Sequence, residues 1–443
     1  MSQGVIVRPP ATKNHPSRTG TFDNITRNAK TRFSIYTPSH NTRFINDCYR
    51  SLLSQTFTEW EWVVVLNNGA EWEPIVKDDR VRIVRCGNKD KGVGFYKELA
   101  VRNCQGEILV ELDHDDVLQP WALTALDQCF DQTVAQFVYS DSAQMTEDGK
   151  PDLTKFAPGN GWTYYNLTTK HMAARSFEAH PHNVSYIWYA PNHVRAFTRE
   201  LYDKVGGYDT AKDILDDQDL MCRMYKETSF VHLPECLYLQ RVHAGNTQKG
   251  DILNARIQIE TVELYHQHIE SNALAWADRN GLLCLDLGAK HGKPKGYLGV
   301  DLRPGDGVDY VGNFFDMDVA NDSVGVIRAH DFMEHIENKQ AFMKWCYDKL
   351  CHGGMLLSQT PSTDGRGAWQ DPTHVSFWNS NSFWYYTQQQ FSDFIDGDVR
   401  FQVSNLKNWY PSEWYRFHNI LYVTANLIAV KKETHDFGGA LLI

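Results

Sequence analysis

Long hydrophobic runs are what this 443-residue sequence most plainly lacks. Its longest apolar stretches, such as Trp62 to Leu66, fall far short of the roughly 18 residues that a membrane-spanning helix needs. The opening segment, MSQGVIVRPPATKNHPSRTG, has no apolar signal region, so export is not expected. Cysteine is scarce and unpatterned: nine residues, an odd number, with no C-x-x-C spacing. That argues against a disulfide framework and against a thiolate zinc site, and points to a reducing, cytoplasmic compartment. Excess positive charge is also missing, since 44 Lys and Arg face 55 Asp and Glu for a net charge of −11. A general polyanion binder is excluded, and any nucleic-acid surface has to be local. There is no short-period repeat and no low-complexity tract.

What is present is material for more than one core. Hydrophobic residues make up 42% and charged residues 22%, a balance that excludes collagenous, coiled-coil and wholly disordered chains. At ~100–200 residues per domain the length favours two or three domains. Residues 1–30 are rich in Pro, Asn and basic residues without periodicity and read as an N-terminal arm. From Arg32 short β-branched runs (FSIYTP, WEWVVVL, VRIVRC, EILVEL) alternate with helical stretches near Ile45 to Ser54 and Tyr96 to Asn103. Such alternation predicts a largely parallel sheet covered on both faces, with ligands taken beyond the strand C-termini. A polar helical segment over 251–280 reads as a linker, and the logic repeats in LLCLDLG, YLGVDL, VGVIRAH and GGMLLSQTP over residues 281–443. The fold class is α/β in both halves.

The densest chemistry lies in LVELDHDDVLQP, where a strand ends in Asp113, Asp115 and Asp116. Neighbouring carboxylates repel, and a hard cation such as Mg²⁺ or Mn²⁺ relieves the cost. An acidic turn that caps the next helix would carry the same residues. Asp216, Asp217 and Asp219 likewise suit a helix N-terminus, which can also present a catalytic carboxylate. Between Lys155 and Arg199 the chain has five Lys or Arg against one acid, Glu178, with four His and aromatics that include Trp162, Tyr164 and Trp188. Aromatic faces and cations there suit sugar rings or nucleobases, or else fill a core.

Four segments in order resemble a family 2 glycosyltransferase of GT-A fold over residues 31–250: FSIYTPSHN with SLLSQTFTEWEWVVVLNNG; VRNCQGEILVELDHDD; GGYD with LDDQDLMCR; and YLQRVHAGNT. The resemblance implies a metal-dependent, inverting transfer from a nucleotide-sugar, a UDP-sugar, to a hydroxyl on a saccharide or glycoconjugate. It places Thr37, Pro38 and Asn68 at the nucleotide, and Arg102 and Asp113 near the donor sugar and ribose. Asp115, Asp116 and His243 fall at the metal, and Asp217 at the general base. Asn68 stands where the family usually has Asp, and Asp216 where it has Glu. PNHVRAF resembles a segment near the acceptor, which adds His193 and Arg195 to Trp162, Tyr164 and Trp188 as an acceptor region. A hydroxylated base in phage DNA is the alternative acceptor, and a non-catalytic carbohydrate-binding or scaffold protein the alternative of another class.

Residues 281 to about 390 resemble a class I S-adenosylmethionine-dependent methyltransferase, with Asp286 and Gly288 at the cofactor loop, Asp301 at the ribose position and DPTHVSFWNSNSF matching a subgroup segment. His374 is the candidate methyl-transfer base. The loop reads Gly288-Ala289-Lys290 where the family has Gly-x-Gly. A long cation beside a sulfonium predicts weak or lost cofactor binding.

Overall fold

The computed structural model describes residues 31–89, 91–155, 161–187, 189–246, 251–395, 398–432 and 437–439. The arm expected at 1–30 and Trp188 lie outside the described residues.

In the first half, β1 (Phe33–Ser39), β2 (Trp60–Leu66), β3 (Val81–Arg85) and β4 (Ile108–Glu111) form the parallel part of a ten-stranded mixed sheet. Phe33 pairs with Trp60 on one side and Ile108 on the other, so β1, β2 and β4 end at a common edge. The sheet continues through β5 (Val117–Leu118), β6 (Phe137–Thr146), β7 (Tyr164–Asn166), β8 (Met172–Ala174), β9 (Arg195–Thr198) and β10 (Phe230–Val242), in the order β3-β2-β1-β4-β9-β6-β10-β5 with β7 and β8 beside β6.

Period-two alternation explains why β2 is buried along its whole length. Trp62, Val64 and Leu66 face a core built with α1 (Ile45–Leu53). Val63 and Val65 face the opposite core, built with α2 (Val93–Arg102). Beyond these come α3 (Ala122–Gln132), α4 (Pro181–Tyr186), α5 (Arg199–Lys204) and α6 (Asp216–Glu227).

The segment read as a linker is α7 (Asp251–Arg279), and it is not a spacer. Tyr265, Ile269, Ala273 and Ala277 are buried in a core shared with Cys284, Val326, Met355 and Ile428 of the second half. Its polar look hid one apolar face, which closes the second sheet from outside. That sheet has seven strands: β11 (Leu283–Leu287), β12 (Leu298–Asp301), β13 (Tyr310–Val311), β14 (Val324–His330), β15 (Leu350–Pro361), β16 (Phe401–Trp409) and β17 (Tyr422–Ala429). Their order is β13-β12-β11-β14-β15-β17-β16, with β17 antiparallel to both neighbours. The order reverses between β11 and β14, the switch point at which open α/β sheets take ligands. The remaining long helix, α8 (Lys339–Lys349), carries Phe342, Met343 and Cys346 into the second core.

The halves are joined by more than chain connectivity. His180 Nε2 donates to Gly353 O at 2.8 Å, and His182 Nε2 donates to Gly438 O at 2.8 Å while its Nδ1 lies 2.9 Å from Ser404 Oγ. Among the described residues no helix is long and apolar enough to cross a membrane.

Candidate active site

The parallel strands deliver their C-terminal loops to one edge, and the sequence candidates gather there. Asp113, Asp115 and Asp116 follow β4 directly. Antiparallel pairing of β10 with β5 brings Tyr238 opposite Leu118, which carries the end of β10 and His243 back over the acidic loop. His243 Nε2 lies 2.8 Å from Asp115 Oδ2, and Asn246 Nδ2 is 3.4 Å from the same oxygen. The Gly245 amide donates to His243 Nδ1 at 3.0 Å, so the ring proton sits on Nε2 and points at Asp115. A cation between the two would take the place of that proton.

Asp116 is built in differently. Tyr238 Oη donates to its Oδ2 at 2.7 Å and the Arg241 amide to its Oδ1 at 2.6 Å. Arg241 ties the corner together: its guanidinium donates to Asp115 O (2.9 Å), Glu147 O (2.8 Å) and Asp47 Oδ2 (3.1 Å). Burial, with Asp115 and Asp113 adding repulsion, pushes the Asp116 carboxyl well up. Burial likewise lifts Asp113 to about 7, against Lys97 and with Glu111 and Asp115. Asp115 and His243 are thus the residues of this corner that could hold a divalent cation.

The second group centres on the start of α6. Leu215 adopts a left-handed turn (φ 55°), after which Asp216 points inward and Asp217 toward the edge. Lys97 Nζ lies 2.5 Å from Glu111 Oε1 and 3.0 Å from Asp216 Oδ2. Arg195 donates to Asp217 Oδ2 at 2.5 Å and to Pro191 O at 2.9 Å, and stands 3.6 Å from Glu111 Oε2. Lys97, Glu111, Arg195 and Asp216 are buried, whereas the Asp217 side chain is 29% exposed. Burial acting alone would raise Asp217, but Arg195 and Lys97 outweigh it and hold the carboxyl far below its usual range. Asp216 shows the opposite balance, lifted to about 6 by burial despite Lys97. The edge therefore presents a partly exposed carboxylate whose ionised form is favoured by two buried cations.

Other candidates are placed less favourably. The Thr37 hydroxyl is committed to the protein, donating to Leu112 O at 2.7 Å and accepting from Trp62 Nε1 at 2.9 Å, while Pro38 beside it is half-buried. Asn68 is exposed after β2 in a left-handed turn (φ 54°), its Oδ1 accepting from Tyr96 Oη at 3.1 Å. Arg102 is a correction: it ends α2, exposed and paired with Glu98 at 2.6 Å, at the end of the sheet where β4 starts and not where its carboxylates lie. The acceptor group also divides. Trp162 and Tyr164 line a narrow cleft with Tyr189, Asn192 and Gln240. His193 and Arg195 are buried behind it, so neither faces an acceptor. Burial lowers His193 to about 3, leaving a neutral ring against Tyr238, with centroids 4.8 Å apart.

Lys97, Glu111, Tyr238 and Arg241 contact the candidate site residues, and sequence reasoning did not single them out. Glu111 stands two residues before Asp113, and Arg241 is the Arg of the YLQRVHAGNT segment, so both were in view without a reason to assign them.

In the second half, Asp286 is buried and bridged by Arg328 at 2.9 Å. Gly288 turns at φ 86°, as a cofactor loop requires. The chain approaches that turn closely from 305–307: a Cβ on Gly305 would lie 2.2 Å from Lys290 O, and one on Gly307 2.2 Å from Ala289 O. The Asp301 carboxylate accepts the Lys290 and Arg303 amides at 3.2 and 2.9 Å. Lys290 stands in the turn where the resemblance has glycine, and the 305–307 backbone packs against the same turn.

Residues 34–188 match the family model described as glycosyl transferase family 2. The chain is 26% identical over 223 residues to chondroitin synthase of Escherichia coli, covering 48% of this chain and 29% of that protein. Over 221 residues it is 24% identical to the O-antigen biosynthesis glycosyltransferase WbnJ of Escherichia coli, covering 47% of this chain and 78% of that one. Among solved structures, S. aureus TarS 1-349 in complex with UDP-GlcNAc aligns with 57% of this chain and 72% of its own at 14% identity, with a TM-score of 0.39. The first half is thus similar to glycosyltransferase family 2 domains over residues 34–188. The chain spans less than a third of the chondroitin synthase it matches.

Proposed function

We propose that this chain transfers a sugar from a UDP-sugar to a hydroxyl of a saccharide or glycoconjugate, with inversion, using Asp217 as base and a divalent cation at Asp115 and His243. The observation that carries the reading is the placement of the partly exposed Asp217 carboxylate on the same sheet edge as the acidic loop, close enough to perturb Asp113. Asp217 takes the acceptor proton as the hydroxyl attacks. When bound, the cation supplies Lewis-acid neutralisation of the leaving diphosphate. Asp113 and Asn68 are offered to the ribose and base, the amide oxygen of Asn68 being able to accept as a carboxylate does. Asp116 and Arg241 brace the metal loop, and Arg195 and Lys97 position Asp217. Trp162 and Tyr164 offer aromatic faces to the acceptor.

A saccharide acceptor is favoured over DNA because two of the five cations of the 155–199 stretch, Arg195 and Arg199, are committed to partners within the protein. Arg195 is buried against Asp217, Arg199 donates to Gly106 O at the far end of the sheet, and Lys155 lies over Tyr164. The second domain we read as methyltransferase-like in architecture and without its cofactor.

Thermal-shift titration with UDP and Mn²⁺ tests the donor assignment. A ligand at 100 times its dissociation constant adds ~2.7 kcal/mol of stability. Stabilisation by UDP only when Mn²⁺ is present is the expected result, and none with any nucleotide would defeat the reading.

A further inference from the structure

We propose that the second domain holds a divalent transition metal, zinc by its donor set, at Glu334, His335 and His374. Ligand atoms of these three side chains lie within 4.8 Å of one another. The site sits past the C-terminal end of β14, on the edge of the sheet where the strand order reverses. It draws on two segments that the glycosyl-transfer reading leaves unused, HDFMEHI and DPTHVSF.

Three observations make this a built site. First, the two segments are fastened together without using the candidate ligand atoms. The amides of Val375 and Ser376 both donate to Glu334 O at 2.9 Å, and Ser376 Oγ donates to Met333 O at 2.8 Å. Secondly, each imidazole has its tautomer set by a backbone carbonyl. His335 Nδ1 lies 3.1 Å from Thr373 O and His374 Nδ1 lies 3.1 Å from Ala368 O. A carbonyl can only accept, so the ring proton is on Nδ1 and the Nε2 lone pair is left for a metal, the arrangement that metal-bound histidines show. Thirdly, the carboxylates are oriented too. Glu334 is buried, with Thr360 Oγ1 donating to its Oε2 at 2.8 Å. Asp371 gives its Oδ1 to the amide and hydroxyl of Thr373 at 2.8 and 2.7 Å, and leaves Oδ2 3.8 Å from His374 Nε2, too far for a hydrogen bond.

Two imidazoles and a carboxylate form the three-ligand zinc set that keeps a fourth position open. His335 is exposed, so that position is reachable by solvent or by a substrate oxygen, and Asp371 is the nearest further donor.

The test uses the full-length chain and Co²⁺ or Zn²⁺ alone, without nucleotide, with Asp115→Ala to separate it from the cation site proposed for glycosyl transfer. One equivalent of Co²⁺ should develop the intense d–d absorption of a four-coordinate site, and Zn²⁺ should displace it. His335→Asn and His374→Gln should each weaken binding beyond the ~10–100-fold that loss of an outer-shell partner costs. Asp115→Ala should leave the spectrum unchanged. Glu334→Gln, which keeps shape and the Thr360 bond, covers the case in which a histidine variant fails to fold. Absence of the four-coordinate spectrum in the wild-type chain, or the same affinity in all three site variants, would overturn the proposal.

Discussion

Replacing Asp217 by Asn separates a chemical role from a structural one, because the two predict losses of different size. Asn keeps the shape and an acceptor oxygen, so Arg195 retains a hydrogen bond there and its bond to Pro191 O at 2.9 Å. What disappears is charge assistance, the difference between ~1.5–3 and ~0.5–1.5 kcal/mol per hydrogen bond, so unfolding should cost only about 1 kcal/mol less. Turnover should fall by ~10²–10⁴, the worth of a positioned base, which corresponds to ~2.7–5.4 kcal/mol of barrier. The assay is UDP release from a UDP-sugar that stabilises the protein, with kcat and KM resolved and UDP affinity measured on the same preparation. The loss should lie in kcat with UDP binding unchanged. Because Arg195 and Lys97 keep Asp217 ionised, the wild-type rate should show no acid limb from this group between pH 5 and 7. Unchanged UDP release with intact UDP binding would refute the assignment and leave the base elsewhere.

Asp115→Ala should abolish Mn²⁺-dependent UDP binding in calorimetric titration, since one imidazole and braced neighbours leave too few ligands for a hard cation. Lys290→Gly should not confer S-adenosylmethionine binding on the chain, because Gly305 and Gly307 would still lie on the turn; micromolar binding by calorimetry would show that the side chain was the block. Acid should loosen the contact between the halves. Burial lowers His180 to about 3 and His182 to about 4, so their neutral forms contribute stability above pH ~6.5 that is lost as pH falls toward those values. At pH 5 this amounts to about 2 kcal/mol per histidine, and His182→Phe should flatten the fall in melting temperature between pH 7.5 and 5.

Much of the molecule was legible in the residues themselves. The runs FSIYTP, WEWVVVL and EILVEL announced buried parallel strands, because a strand covered on both faces must be apolar without alternation. The acidic cluster at Asp113 to Asp116 and the Asp pair at 216 and 217 were recognisable as chemistry because carboxylates so placed are costly without a purpose. What each of them does depends on contacts between residues far apart in sequence. Asp116 and Asp115 are neighbours in sequence, yet Tyr238 and Arg241, more than a hundred positions on, brace one and leave the other to His243. Asp217 and Asp216 differ in the same way, one held ionised by Arg195 and the other raised by burial. Arg102 was misplaced because a helix that precedes a strand ends at the strand's beginning, so nearness in sequence to the acidic loop became distance across the sheet. Composition hid the buried face of α7, since a helix needs only a stripe of apolar residues to close a core. Local sequence thus determined which elements form and which residues are chemically expensive; tertiary structure alone decided their partners, because charge, burial and hydrogen bonding are properties of neighbours in space.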